Sequence, residues 1–140
     1  MLPGRVRVYG ESELDDAWTW LRSESERADI DRIFAHVSCH DLSTSAAWYA
    51  TLFGRAHDDA PMYGLYEWHL GRSGLQLFQD PEKAGSSTVT VYTADLERAQ
   101  KRLVAEGFKA REPEMGNHQR LIRMTDPDGN LVVMVEPLSN

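Results

Sequence analysis

Cysteine is almost missing from this chain of 140 residues, where Cys39 stands alone. A single thiol excludes any intrachain disulfide and any zinc site built on several cysteines. Long apolar runs are missing too. No stretch approaches the roughly 18 consecutive apolar residues that a membrane helix needs, and the opening MLPGRVRV lacks the apolar core of a secretory leader. A cytoplasmic location is the expectation that follows. Positive charge is in deficit, with 15 Lys and Arg against 22 Asp and Glu for a net charge of -7. Nucleic acid and anionic membrane surfaces are therefore poor partners, and a neutral or cationic small molecule is better matched. The hydrophobic share of 41% is enough for one globular domain with a substantial core.

What the chain does contain is a repeat. IFAHVSCHDL (Ile33 to Leu42) and STVTVYTADL (Ser87 to Leu96) are both strand-like runs ending in Asp-Leu. Each is followed by a helix-patterned segment closing at Gly54 or Gly107, and then by short strand-like runs. In the first copy Ile33, Ala35, Val37 and Cys39 alternate with Phe34, His36, Ser38 and His40, which predicts a strand with two unlike faces. Ser43 is the expected cap of the helix carrying Ala46, Tyr49, Ala50 and Phe53, with Trp48 also assigned to the core. A polar edge segment, YGLYEWHL and LQLFQ follow, the last two separated by the turn GRSG. The second copy predicts the same order: Asp95 caps a helix burying Leu96, Ala99, Leu103 and Val104, and FKAREPE, QRLIRMT and LVVMVEP are strands. The last two are joined by Asp126-Pro-Asp-Gly-Asn130, read as a turn.

The fold expected is therefore α+β: two tandem βαβββ modules, residues 31–80 and 86–137, whose mixed sheets curl into a shared cleft. Residues 1–30 are read as an N-terminal extension in which Leu14, Ala17, Trp18 and Leu21 form one face of an amphipathic helix that docks on the domain or on a second chain.

The two βαβββ modules, with DL...S..WY...LFG in the first and DPDGN before the last strand, resemble the vicinal oxygen chelate superfamily over residues 31–137. That superfamily holds glyoxalase I, bleomycin-resistance proteins and extradiol dioxygenases. The resemblance implies two cups forming a binding cleft, within one chain or between chains of a homodimer. It also implies a divalent metal held by one side chain on the first and one on the last strand of each module. Carried onto this chain, those positions are Phe34, Gln76, Thr88 and Val133. Phe and Val cannot coordinate, and Thr and Gln are weak neutral donors, so the expectation is no metal and no cofactor.

Without that metal, the expected function is binding of a small molecule, aromatic or cationic, rather than catalysis. Phe34, His36, Gln76, Phe78, Thr88, Thr90, Tyr92 and Val133 are the expected lining, with Trp68 as a wall beside Tyr66. The alternative is a lyase, isomerase or oxygenase with an off-pattern metal site or with His36 as base. His40, His57, His69 and His118 show no ligand spacing, Asp58, Asp59, Glu112 and Glu114 read as solvated charge, Glu136 as exposed, and Cys39 as a small buried hydrophobe.

Overall fold

The computed structural model describes residues 29–139; the helix expected at Leu14 to Leu21 lies outside them. The first module runs β1 (Ala35–Cys39), α1 (Leu42–Phe53), β2 (Asp59–Met62), β3 (Leu65–Leu70) and β4 (Ser73–Gln79). The second repeats it as β5 (Thr88–Tyr92), α2 (Leu96–Ala105), β6 (Glu114–Met115), β7 (Gln119–Thr125) and β8 (Leu131–Pro137). Among the described residues each module makes one four-stranded sheet, ordered β1-β4-β3-β2 and β5-β8-β7-β6. In each, the first strand pairs in parallel with the last and the other pairings are antiparallel.

The alternation of the strands decides which face meets the helices. Val37, Cys39, Leu75, Leu77 and Trp68 point one way in the first sheet, and Val89, Val132, Met134, Ile122 and Met124 in the second. Together with Tyr49, Leu52, Leu96 and Leu103 from the helices they form one contiguous core, the dominant favourable term in folding. Edge strands are short where proline forbids pairing. Pro61 sits in fully exposed β2, and Pro113 leaves β6 only two residues long, less than the FKAREPE strand expected.

Both helices start at an aspartate; the first stops at Gly54 and the second at Glu106, with Gly107 next. Asp41, not Ser43, caps α1 by accepting the Thr44 N–H at 3.0 Å, and Gly54 closes it with φ 75°. Asp95 accepts the Arg98 N–H at 3.0 Å at the start of α2. A further bond repeats between the copies. The Leu42 N–H is accepted by the Gln79 side chain at 2.9 Å, and the Leu96 N–H by the Glu136 carboxylate at 2.7 Å. Glu136 thus satisfies a helix donor instead of standing free in solvent. Val104, expected on the buried side of α2, is 48% exposed.

The DPDGN segment is more than a turn. Asp126 is buried and accepts the Tyr49 hydroxyl at 2.7 Å from the other module. Asn130 is fully buried and donates to the Ser38 carbonyl at 3.2 Å and to Asp126 Oδ2 at 2.8 Å, while its own oxygen accepts the Gly85 and Ser87 N–H groups. Asp128 accepts the His40 N–H, the His40 ring nitrogen and the Ser45 hydroxyl at 2.8, 2.7 and 2.6 Å. Trp48 stacks on Phe108 at 4.7 Å, and Arg102 donates to the Thr51 and Leu52 carbonyls at the end of α1. The modules are joined through α1, the end of β1 and the β7–β8 turn.

Candidate functional site

Residues paired across a sheet share a face, so strand register lays out each cup. In the first module His36 pairs with Gln76, Gln76 with Glu67, and Glu67 with Asp59. Four polar side chains therefore cross the sheet in one row. His36 Nδ1 lies 3.1 Å from Gln76 Oε1, and Gln76 Nε2 donates to Glu67 Oε2 at 2.7 Å. His69, two residues beyond Glu67, brings its Nε2 within 3.0 Å of Glu67 Oε1. The ligand-type atoms of Asp59, Glu67 and His69 all lie within 4.8 Å of one another. Phe78, paired with Leu65 on the same face, stands 6.0 Å from the His36 ring.

This row is fixed from behind. The β3–β4 hairpin turns through Gly71 and Arg72, with Gly71 at φ 64°, a conformation that favours glycine. That two-residue turn sets Leu70 opposite Ser73 and hence Glu67 opposite Gln76. Asp58 accepts the His69 N–H at 2.6 Å and is held by Arg55 at 3.0 Å; the same guanidinium donates to the His69 carbonyl. The Arg55 carbonyl in turn accepts the Trp68 indole N–H at 3.0 Å. Asp58 is thus structural rather than merely solvated. Phe34 packs edge-on against His69, ring centres 5.5 Å apart, in the space left by Gly74, where a Cβ would stand 2.7 Å from the phenyl ring.

The second cup is different in chemistry. Thr90 pairs with Val133 and Val133 with Arg123, so the corresponding row is a hydroxyl, an isopropyl group and a guanidinium. Arg123 reaches Glu114 at 3.1 Å, which gives that glutamate an ionic partner. Thr88, Thr90 and Tyr92 are exposed on β5, Tyr92 at 70%. A separate groove of about 630 Å³ lies beside the end of α2, lined by Trp48, Phe108, Glu112 and Arg123 among others.

The expected lining residues divide accordingly. His36, Gln76 and Phe78 lie together in the first cup with Phe34 at its margin, and Thr88, Thr90, Tyr92 and Val133 lie in the second. Trp68 belongs to neither: it is fully buried in the core on the opposite face of β3, paired with Leu75. Alternation excludes it, because a strand that turns Glu67 and His69 into the cup must turn Trp68 away. The same rule names Glu67, which the aromatic residues of YGLYEWHL overshadow, and His69, which has no ligand spacing in the sequence. His57 stacks on Tyr66 at 3.7 Å and takes no part in the row.

The positions where the superfamily resemblance implies a metal do not suit one. Phe34 and Val133 offer no donor atom, Thr88 offers a neutral hydroxyl, and the Gln76 oxygen is engaged by His36. Cys39 offers no ready nucleophile. It is fully buried, donates to the Phe78 carbonyl, and has its thiol pushed up to about 11 by burial and by the nearby Asp128. Burial pulls the Asp128 carboxyl upward, but hydrogen bonds from Ser45 and His40 outweigh it and hold the group below the usual carboxylate range.

Comparison with known proteins identifies the fold. The glyoxalase-like domain family matches residues 33–135. A glyoxalase/bleomycin resistance protein from Catenulispora acidiphila is 28% identical, with a TM-score of 0.69 over 75% of this chain and 96% of that one. A lactoylglutathione lyase from Agrobacterium tumefaciens is 20% identical, with a TM-score of 0.62 over 74% of this chain and 91% of that one. A bleomycin-binding protein complexed with bleomycin is 19% identical, with a TM-score of 0.63 over 76% of this chain and 98% of that one. The last two show the shared fold. No curated protein matches the chain.

Proposed function

The chain belongs to the glyoxalase-like domain family, and from that premise we propose that it binds a small aromatic or cationic molecule on its cup faces, with no metal at the family's ligand positions. The donor set carries this reading: Phe34, Gln76, Thr88 and Val133 supply no strong ligand among them. In their place the first cup offers the rings of Phe34, His36 and Phe78 for stacking and the Gln76 amide for hydrogen bonding. One structural neighbour is a bleomycin-binding protein, and the excess of acidic residues favours a cationic ligand here. We place the working form in a homodimer in the cytoplasm. Tyr63, Tyr92 and Met115, 92, 70 and 69% exposed, provide apolar area for a second copy to cover.

One observation favours a second reading, a lyase resembling the Agrobacterium neighbour in activity as well as fold. His36 is exposed in the cup with one ring nitrogen engaged by Gln76, the arrangement of an oriented base. The discriminating experiment titrates metal-free bleomycin and a panel of aromatic amines against the chain in the presence of a chelator, reading intrinsic tryptophan fluorescence. Saturable binding that Phe78→Ala weakens supports the binding function. Absence of binding across the panel, together with lactoylglutathione lyase activity that His36→Ala abolishes, overturns it in favour of the enzyme.

A further inference from the structure

The row across the first cup contains an arrangement that small-molecule binding does not use. Asp59 and Glu67 are register partners on antiparallel strands, and like charges placed directly opposite each other destabilise a sheet. His69 adds an imidazole nitrogen 3.0 Å from Glu67 Oε1. From the convergence of these three ligand atoms within 4.8 Å, we propose that Asp59, Glu67 and His69 form a binding site for one divalent transition-metal ion. The site lies on β2 and β3, strands other than those carrying Phe34, Gln76, Thr88 and Val133.

The chemistry of the donors and their supports favours this assignment. One imidazole and two carboxylates make a mixed nitrogen and oxygen set, which suits Zn²⁺, Co²⁺ or Mn²⁺ better than the all-oxygen set that Ca²⁺ takes. Three protein ligands leave coordination positions open for water or for an oxygen of a bound molecule. The ligands are also held by neighbours of the kind that metal sites use to orient their first ring of donors. Gln76 Nε2 engages Glu67 Oε2, which leaves Oε1 directed at His69. Asp58 and Arg55 fix the His69 backbone on either side, and Phe34 packs against its ring. A cation there turns the facing carboxylates from repulsive neighbours into joint ligands. This inference goes beyond the proposed function: the ligand contacts proposed there are made by Phe34, His36, Gln76 and Phe78, of which Gln76 and Phe34 only support Glu67 and His69 and none is a metal donor.

The test uses the full chain with any affinity tag removed, titrated with Zn²⁺ in a calorimeter and with Co²⁺ by visible absorption. One ion per chain is expected. Glu67→Gln, His69→Asn and Asp59→Asn are each expected to weaken binding by about tenfold or more, whereas His118→Asn, outside the cluster, leaves it unchanged. Asp59 is exposed on an edge strand, so its variant keeps the test valid if replacement of Glu67 disturbs folding, which a thermal melt of each protein reports. Absence of saturable binding overturns the site. So does binding that Asp59→Asn leaves intact in a folded chain, or that His118→Asn removes equally, the mark of an adventitious ion on a surface histidine. Because the organic-ligand titration is run with chelator, either result leaves the proposed binding function to stand or fall separately.

Discussion

Tyr49 and Asp126 show how much a single polar contact can carry when it is buried. The phenol is fully buried, and burial together with the Asp126 carboxylate raises its pKa far above the ordinary value. It therefore stays a hydrogen-bond donor throughout the working range. Removing the hydroxyl in Tyr49→Phe leaves a buried carboxylate oxygen with one donor fewer, for which a loss of about 1–3 kcal/mol is expected in urea denaturation. Cys39 is the counterpart for reactivity. With its thiol buried and its pKa near 11, it is expected to resist a thiol-directed reagent at neutral pH until the chain is unfolded, when one equivalent reacts. Rapid labelling of the native protein would contradict that. The burial of Cys39 is legible from its alternation with Val37 and Ala35; the bond from Tyr49 to Asp126 is not, because 77 residues of chain separate the partners.

The β3–β4 hairpin does most to place the candidate site. Its register follows from the two-residue turn at Gly71 and Arg72, and from that register alone Glu67 must face Gln76. The register itself was hidden, because GRSG read as a four-residue turn sets Glu67 opposite Phe78, whereas Ser73 and Gly74 belong to β4; the alternation of Glu67 and His69 in YGLYEWHL was legible. Asp59 was not, since β2 contains Pro61 and pairs with β3 through a register shift between Asp59 and Met62. The close packing at Gly74 gives a direct test. In Gly74→Ala the added methyl collides with the Trp68 carbonyl oxygen and crowds Phe34, so a clear loss of thermal stability is expected, with displacement of the Phe34 ring seen in its contacts to His69 by NMR. The helices offer a milder perturbation. Asp95→Ala removes the acceptor for the Arg98 N–H and is expected to cost about 1 kcal/mol, measured by denaturant midpoint.

At the scale of the whole molecule, the two modules act as one unit because the turn before β8 enters the first module. Asp128 accepts three bonds from His40 and Ser45 across that joint. Its folded-state pKa lies below the ordinary value of 3.8, so the unfolded chain takes up a proton before the folded one as pH falls. The stabilisation is accordingly present above the unfolded pKa and is lost as pH drops through the folded one. Thermal unfolding is expected to move to lower temperature below about pH 4, and less steeply in Asp128→Asn, whose starting stability is lower. A parallel acid response in the variant would show that other carboxylates dominate.

The sequence by itself determined the order of elements and the two faces of β1, because alternation and helical spacing are local properties of the chain and the duplicated pattern states them twice; which face of β3 turns inward it did not determine, and Trp68 went to the core instead of the cleft. At the positions where the superfamily resemblance implies a metal the sequence supplies no strong donor, since residue type settles coordination ability wherever the side chain lies. The tertiary structure alone decided that Asp126-Pro-Asp-Gly-Asn130 binds the modules together and that Asp59, Glu67 and His69 converge. Both depend on hairpin register and on packing between distant segments, whose energies are shared by residues that no local window contains.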